Sequence, residues 1–171
     1  MSLNADVLTD ADKQTLVELL QKLHPGFLPF EVFIEVARLV VLPIIEFVPL
    51  RTSEGRVEVL LLERDVWPFG LHTPGTVIRA TDSTKRNYQA FDRIMEELGG
   101  TEVALPHYVG SNLHSSQRGV EQAQIFWVEV LGKPKAGHFY PADNLPDNLM
   151  QSQENFIELA VKDFRKHNHI K

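Results

Sequence analysis

Phe91, Ile94, Met95 and Leu98 recur at i, i+3, i+4 and i+7, the spacing of a single buried stripe on an α-helix. Gly99-Gly100 stops the run, and Asp82-Ser83 is available to cap its start, so the pattern predicts a helix over residues 83–98. The last turn of that helix carries Glu96-Glu97, and a breaker loop, Pro74-Gly75-Thr76, lies ahead of it. Paired carboxylates on a final helical turn behind such a loop suggest a divalent-cation site.

Length and charge narrow what can surround this element. A chain of 171 residues suits one well-buried domain with an added N-terminal element. Hydrophobic residues at 43%, with ten Phe, indicate a packed core. The longest apolar run, residues 39–45, is broken by Pro43 and is far too short to cross a bilayer, so no membrane partner is expected. Asp6, Asp10 and Asp12 with no basic lead are unlike a secretory signal, and there is no Cys, so disulfides and thiolate metal sites are excluded. A cytoplasmic location is the default expectation. The formal charge of 17 − 23 = −6 argues against a nucleic-acid polymer, which needs a basic face. A small phosphorylated ligand needs only a few cations and stays open.

Along the chain, Leu16, Leu19, Leu20 and Leu23 form one apolar stripe on a first helix, with Thr9 or Asp10 as N-cap and Pro25-Gly26 as the stop. A second helix starts at Pro29 and carries Phe30, Phe33, Ile34 and Ala37. Pro43 opens a strand over residues 44–51, and a turn at residues 52–55 leads into a continuously apolar strand at 57–62, the two reading as a hairpin. Further strands are expected at residues 77–78, 103–109 and 124–131, with the polar stretch 111–121 as a mobile loop. His138-Phe139-Tyr140 restarts an extended segment. Phe156, Leu159, Ala160 and Phe164 mark a C-terminal helix fraying over 166–171, which leaves His167 and His169 in a loose tail.

The segment ending Met95-Glu96-Glu97-Leu98-Gly99 resembles the Nudix box, G-x5-E-x7-R-E-U-x-E-E-x-G-U with U aliphatic. The strand ending Glu63-Arg64, the approach Leu71-His72-Thr73-Pro74-Gly75, and the late segment from His138 to Pro146 are similar to flanking features of the same family, in the same order. The resemblance covers roughly residues 40 to 165. It implies an α/β (α+β) fold, a mixed β-sheet sandwiched between helices, with residues 1–38 as an N-terminal helical extension and 39–171 as the Nudix-like domain. It implies Mg²⁺- or Mn²⁺-dependent pyrophosphohydrolysis of a nucleoside diphosphate linked to another moiety, with Glu96 and Glu97 as catalytic and metal-holding groups.

The box is altered. The family's first glycine falls on Thr76, its first glutamate on Asp82, its arginine on Asp92 and the following glutamate on Arg93. At about 100° per residue, Arg93 lies one turn before Glu96 and Glu97 and between their azimuths. A guanidinium there cannot ligate a cation and repels one. Asp92 stands at i−4 from Glu96, so a metal shared by Asp92, Glu96 and Glu97 is physically open, as is a salt bridge from Arg93 to Glu96, Glu97 or another nearby carboxylate.

Two alternatives follow: a hydrolase weakened by the degenerate box, or a catalytically inactive module that keeps the fold to bind a nucleotide or a protein. Arg79, His72 and Arg93 are the candidate substrate-binding residues, each set against a plain surface or loop role. Trp67 and Phe69 can stack on a base or cover a core edge. His107 and His114 match no zinc spacing. Residues 1–38 are open to use as a dimerisation or docking arm, with a homodimer as the implied assembly.

Overall fold

The computed structural model describes residues 8–24, 26–82 and 88–170. Four helices, α1 (Asp10–Leu20), α2 (Phe30–Leu39), α3 (Tyr88–Glu97) and α4 (Gln153–His167), accompany seven strands. These are β1 (Val41–Ser53), β2 (Arg56–Arg64), β3 (Gly70–His72), β4 (Gly75–Val77), β5 (His107–Ser115), β6 (Val120–Glu129) and β7 (His138–Pro141). The sheet is mixed, in the order β3-β2-β1-β6-β5, with β4 on β1 and β7 on β2.

β1 organises the molecule. Its first half pairs antiparallel with β4 and its second half with β2, while β6 runs parallel to it from Val41 against Val120 to Leu50 against Glu129. A strand covered on both faces reads as an unbroken apolar run, and Ile44 to Leu50 are all buried. Ile44, Val48 and Leu50 face one core, closed by Phe156, Ile157, Ala160 and Phe164 of α4. Ile45 and Phe47 face the other, closed by Ala90 and Ile94 of α3 and by Leu98 just after it. Phe91 and Met95 are partly buried against that second core, so the predicted stripe faces it, with Ile94 and Leu98 fully inside. Ser83 and the rest of the expected first turns fall outside the described residues; the described helix begins at Tyr88.

Several expectations are corrected. Residues 111–121 are no mobile loop: β5 continues to Ser115, Ser116 and Gly119 close a tight turn by reciprocal backbone bonds, and β6 starts at Val120. A Cβ on Gly119, which has φ +144, would strike the Ala37 carbonyl, so glycine lets this turn dock on α2. In place of a strand at 103–109, Val103 makes one isolated bridge to Val130 and the strand proper starts at His107. Pro43 lies within β1, not at its opening, and Pro29 is the N-cap of α2, not its first residue. Leu159 is exposed, and Ile157 and Val161 take the inward places on α4. His167 belongs to α4 and packs its ring 5.3 Å from Trp127, because the helix continues past Phe164 across the sheet.

The N-terminal helices are held differently. Thr9 caps α1 through a capping box with Asp12, yet α1 buries no residue: Leu16, Leu19 and Leu20 stay about half exposed. Ala37 of α2 is fully buried in the core and Phe33 packs beside it. No helix among the described residues is long and apolar enough to cross a membrane.

Candidate functional site

Glu46 and Gly75 sit directly opposite each other on β1 and β4. Side chains of an opposed pair share a face, and the Glu46 carboxyl fills the space where a Gly75 side chain would begin: an added Cβ would lie 2.5 Å from it. The Gly75 N–H donates to Glu97 Oε2 at 3.1 Å. The Pro-Gly loop thus draws the end of α3 onto the middle of β1.

A relay runs inward from Glu46. The Thr73 hydroxyl lies 3.1 Å from Glu46 Oε2 and in short contact with Gln153 Oε1, which also accepts the Thr73 backbone N–H at 2.8 Å. A hydroxyl has one proton to give. The Gln153 carbonyl can only accept, so a Thr73 hydroxyl that donates there leaves Glu46 to complete the chain as a neutral acid, whereas an ionised Glu46 takes the hydroxyl proton itself. Burial favours the neutral acid, pushing the Glu46 carboxyl up to about 8; a Thr73 hydroxyl donating to the carboxylate opposes this and the nearby Glu97 charge adds to it.

His72 and Glu97 form a second unit. His72 Nδ1 lies 2.8 Å from the Thr73 carbonyl, an acceptor, which fixes the proton on Nδ1 and leaves Nε2 as a lone pair in the neutral ring. Nε2 faces Glu97 Oε1 at 3.7 Å. Burial lowers the His72 pKa and raises that of Glu97, while the Gly75 N–H and Arg64 pull Glu97 back. An imidazole lone pair opposite a carboxylate favours one shared proton. About a third of the Glu97 side chain remains open to solvent.

Arg93 is committed elsewhere. Its Nη1 and Nη2 donate to the two carboxylate oxygens of Asp82 at 2.7 and 2.9 Å, Nη2 also to the Val77 carbonyl at 3.0 Å, and Nε to Thr76 Oγ1 at 3.2 Å. Asp82 is therefore the nearby carboxylate that Arg93 takes. The bidentate bond holds Asp82 below the usual carboxylate range, and the same bond raises Arg93. Asp92 and Glu96 are exposed on α3, and Arg79 is exposed with its backbone N–H on Asp82 Oδ2 at 2.8 Å.

A divalent ion needs several converging oxygens. Among the described residues no three carboxylate or imidazole groups gather to hold one, Glu97 Oε2 is occupied by the Gly75 N–H, and a guanidinium stands one turn before Glu96 and Glu97. The donor set does not fit the metal centre that the resemblance implies.

What does converge is a set of four guanidinium groups, Arg64, Arg79, Arg93 and Arg118, around a cavity of about 920 Å³ between α2 and residues 75–80, with His72 and the carboxylates of Glu63, Asp65 and Glu97 also on its wall. Burial lowers the Arg64 pKa, and Arg118 lowers it further. Arg64 Nε is buried without a hydrogen-bond partner. Arg118 Nη2 lies 2.7 Å from Glu121, which is also 3.3 Å from His114 Nε2. These two partners, with Ser116, hold the Glu121 pKa down against its burial, the largest influence on it. The sequence reading brought His72, Arg79 and Glu97 to this cavity. It held Arg64 and Thr73 only as parts of flanking motifs and passed over Glu46, Arg118, Glu121 and Gln153; the available signals were a glutamate inside the apolar run of β1 and a Ser-Gln-Arg-Gly turn between alternating residues. Trp67, 41% exposed, packs its ring edge-on to Phe30, and Phe69 is exposed.

No protein-family model matches the sequence, and no curated protein matches it. Solved structures do share the fold. The chain is similar to Shewanella oneidensis NrtR complexed with a 27mer DNA (TM-score 0.55, 18% identity), covering 72% of this chain and 62% of that one, so it spans less than two thirds of that protein. It is similar to the NUDIX domain of NrtR complexed with ADP ribose (TM-score 0.53, 17% identity, 92% of this chain and 99% of that one). It is also similar to a C. elegans Ap4A hydrolase (TM-score 0.53, 10% identity, 74% and 99%). The fold is that of the Nudix hydrolases.

Proposed function

We propose that this protein is a cytoplasmic Nudix-fold module that binds a nucleoside diphosphate linked to a second moiety, with hydrolysis of the anhydride strongly attenuated. The observation that carries the reading is the cavity wall of Arg64, Arg79 and Arg118, which supplies cationic donors where a diphosphate would lie. The committed Arg93–Asp82 pair is what sets binding above catalysis. Residues 1–38 then act as an extension that completes the ligand cavity, through Leu20, Leu23 and Leu28. The ADP ribose complex of the NrtR NUDIX domain supports the ligand class.

A second reading, metal-dependent pyrophosphohydrolysis, draws on the His72–Glu97 unit at the cavity, a pair able to take a proton from water. One experiment separates the two. ADP-ribose, dinucleoside polyphosphates and nucleoside triphosphates are screened by thermal shift and by phosphate release, with Mg²⁺, Mn²⁺ or neither. At about a hundred times Kd a bound ligand stabilises by about 2.7 kcal/mol, which is roughly 5–10 °C in Tm for a chain of this size. The expected result is a shift without metal and little turnover. Arg64→Ala is expected to weaken binding by about 10- to 100-fold, since a hydrogen bond to a charged group contributes about 1.5–3 kcal/mol. Rapid turnover with added Mg²⁺ or Mn²⁺ would establish the second reading, and no shift with any ligand would remove the first.

A further inference from the structure

We infer that the second moiety of the ligand is apolar and that it lies against the N-terminal helices; this rests on the cavity being the diphosphate site. The cavity has two unlike halves. Its inner half, the wall from the strands, their loops and α3, carries Arg64, Arg79, Arg93 and Arg118 with Glu63, Asp65 and Glu97, and its outer half, the wall from residues 20–36, presents Leu20, Leu23, Leu28, Phe33 and Val36.

The outer half is apolar surface open to solvent. Leu20 is 48% exposed, and Leu23, Leu28, Phe33 and Val36 are each partly exposed. They come from α1, α2 and the segment between them, and α1 buries no residue of its own. Apolar side chains arranged around a concavity gain by being covered. The occupant has to be continuous with a group held on the arginines, because both halves belong to one cavity.

The chemistry of the wall selects among second moieties. A sugar or a second base would press hydroxyl or amide edges against Leu, Val and Phe, leaving those polar groups without partners. Among the described residues, His24 is the one titratable side chain that residues 20–36 bring to this wall, while Glu63 and Asp65 reach the cavity from the end of β2 and the loop after it. An alkyl or other apolar group has no such groups to lose, and each methylene it buries tightens binding about fourfold, the equivalent of about 0.8 kcal/mol. A short chain of six carbons, half covered, is thus expected to add about 30- to 100-fold.

The test uses the full chain and calorimetric titration with four probes: inorganic pyrophosphate, ADP, ADP-ribose, and ADP esterified on its terminal phosphate with hexanol. The hexyl ester is expected to bind at least about 30-fold tighter than ADP, and ADP-ribose no tighter than ADP. Leu20→Gln and Val36→Gln are expected to remove most of the hexyl gain, and Val36→Gln, outside the closed core, to leave ADP affinity and Tm unchanged. A hexyl ester no tighter than ADP, or a gain that both variants preserve, overturns the inference while ADP binding keeps the phosphate site. If none of the four probes binds, the diphosphate reading falls with it.

Discussion

Arg93→Ala is expected to lower stability by about 3 kcal/mol at pH 7, a fall of roughly 8 °C in Tm. The Asp82 side chain is only 3% exposed and that of Arg93 21%, so removing the guanidinium leaves a buried carboxylate with the Arg79 N–H in place of a bidentate cation. The lost contacts are also structural: Arg93 ties α3 to Thr76, Val77 and Asp82 across the cavity mouth. The pH dependence carries a sign. Because Arg93 holds the Asp82 pKa below its ordinary 3.8 in the folded state, the pair's stabilisation is present above that value and is lost as pH falls through the depressed one. The gap between the parent protein and Arg93→Ala should therefore close in acid. Arg93→Glu should fall further in metal-free buffer, two carboxylates then facing each other, and recover part of the loss with Mn²⁺. Thermal melts from pH 3 to pH 7 decide this; a gap under about 1 kcal/mol at pH 7, the range of exposed ion pairs, would show the bridge to be ornamental.

How far the sequence disclosed this molecule depends on the range over which each feature is determined. The β1–β2 hairpin, the stripe of α3 and the Pro-Gly loop were legible because their signals are local: apolar period, breaker residues, a run too apolar for an edge. The β5–β6 hairpin was not. Along β6 the inward positions are Glu121, Ala123, Ile125 and Trp127, and the glutamate at the first of them, next to the polar turn, disguised the alternation. Arg93 could be seen to displace a metal ligand, whereas its partner could not be fixed, since Asp82 lies eleven positions away, beyond the i, i+4 reach of neighbours on one helix. The centre of the site was hidden for the same reason. Glu46, Thr73, Gln153 and Glu97 come from β1, the loop after β3, α4 and α3, and meet only because β4 pairs with β1. A glutamate between Ile45 and Phe47 was the one local sign of them, as a charge inside a doubly covered strand needs a reason.

Glu46→Gln is expected to stabilise the protein at alkaline pH, by on the order of 2 kcal/mol or roughly 6 °C. In the folded state the Glu46 pKa is pushed up to about 8, against 4.5 for an ordinary glutamate. A raised value means that stability is fully present below about 4.5 and is lost as pH climbs through 8, because the unfolded chain ionises the group freely and the folded chain cannot. The full difference would amount to more than 4 kcal/mol; relaxation around a newly charged Glu46, with Arg118 close enough to favour the charged form, reduces it. Glutamine keeps the shape and still donates to Thr73 through its amide N–H, so the bond to Gln153 survives, and it has nothing to ionise. Melting curves should then coincide near pH 4 and separate steadily to pH 9, with the variant above. Parallel curves across that range would mean that Glu46 is already ionised in the fold, and the inward relay through Thr73 would have to run the other way. If the curves separate, this fold is keeping a destabilising acid beneath the Gly75 loop when an amide would serve its packing better. Such a penalty is retained at sites that work on a ligand, and the work open to Glu46 is to set the charge on Glu97, its neighbour across Gly75 and the carboxylate on the wall of the cavity.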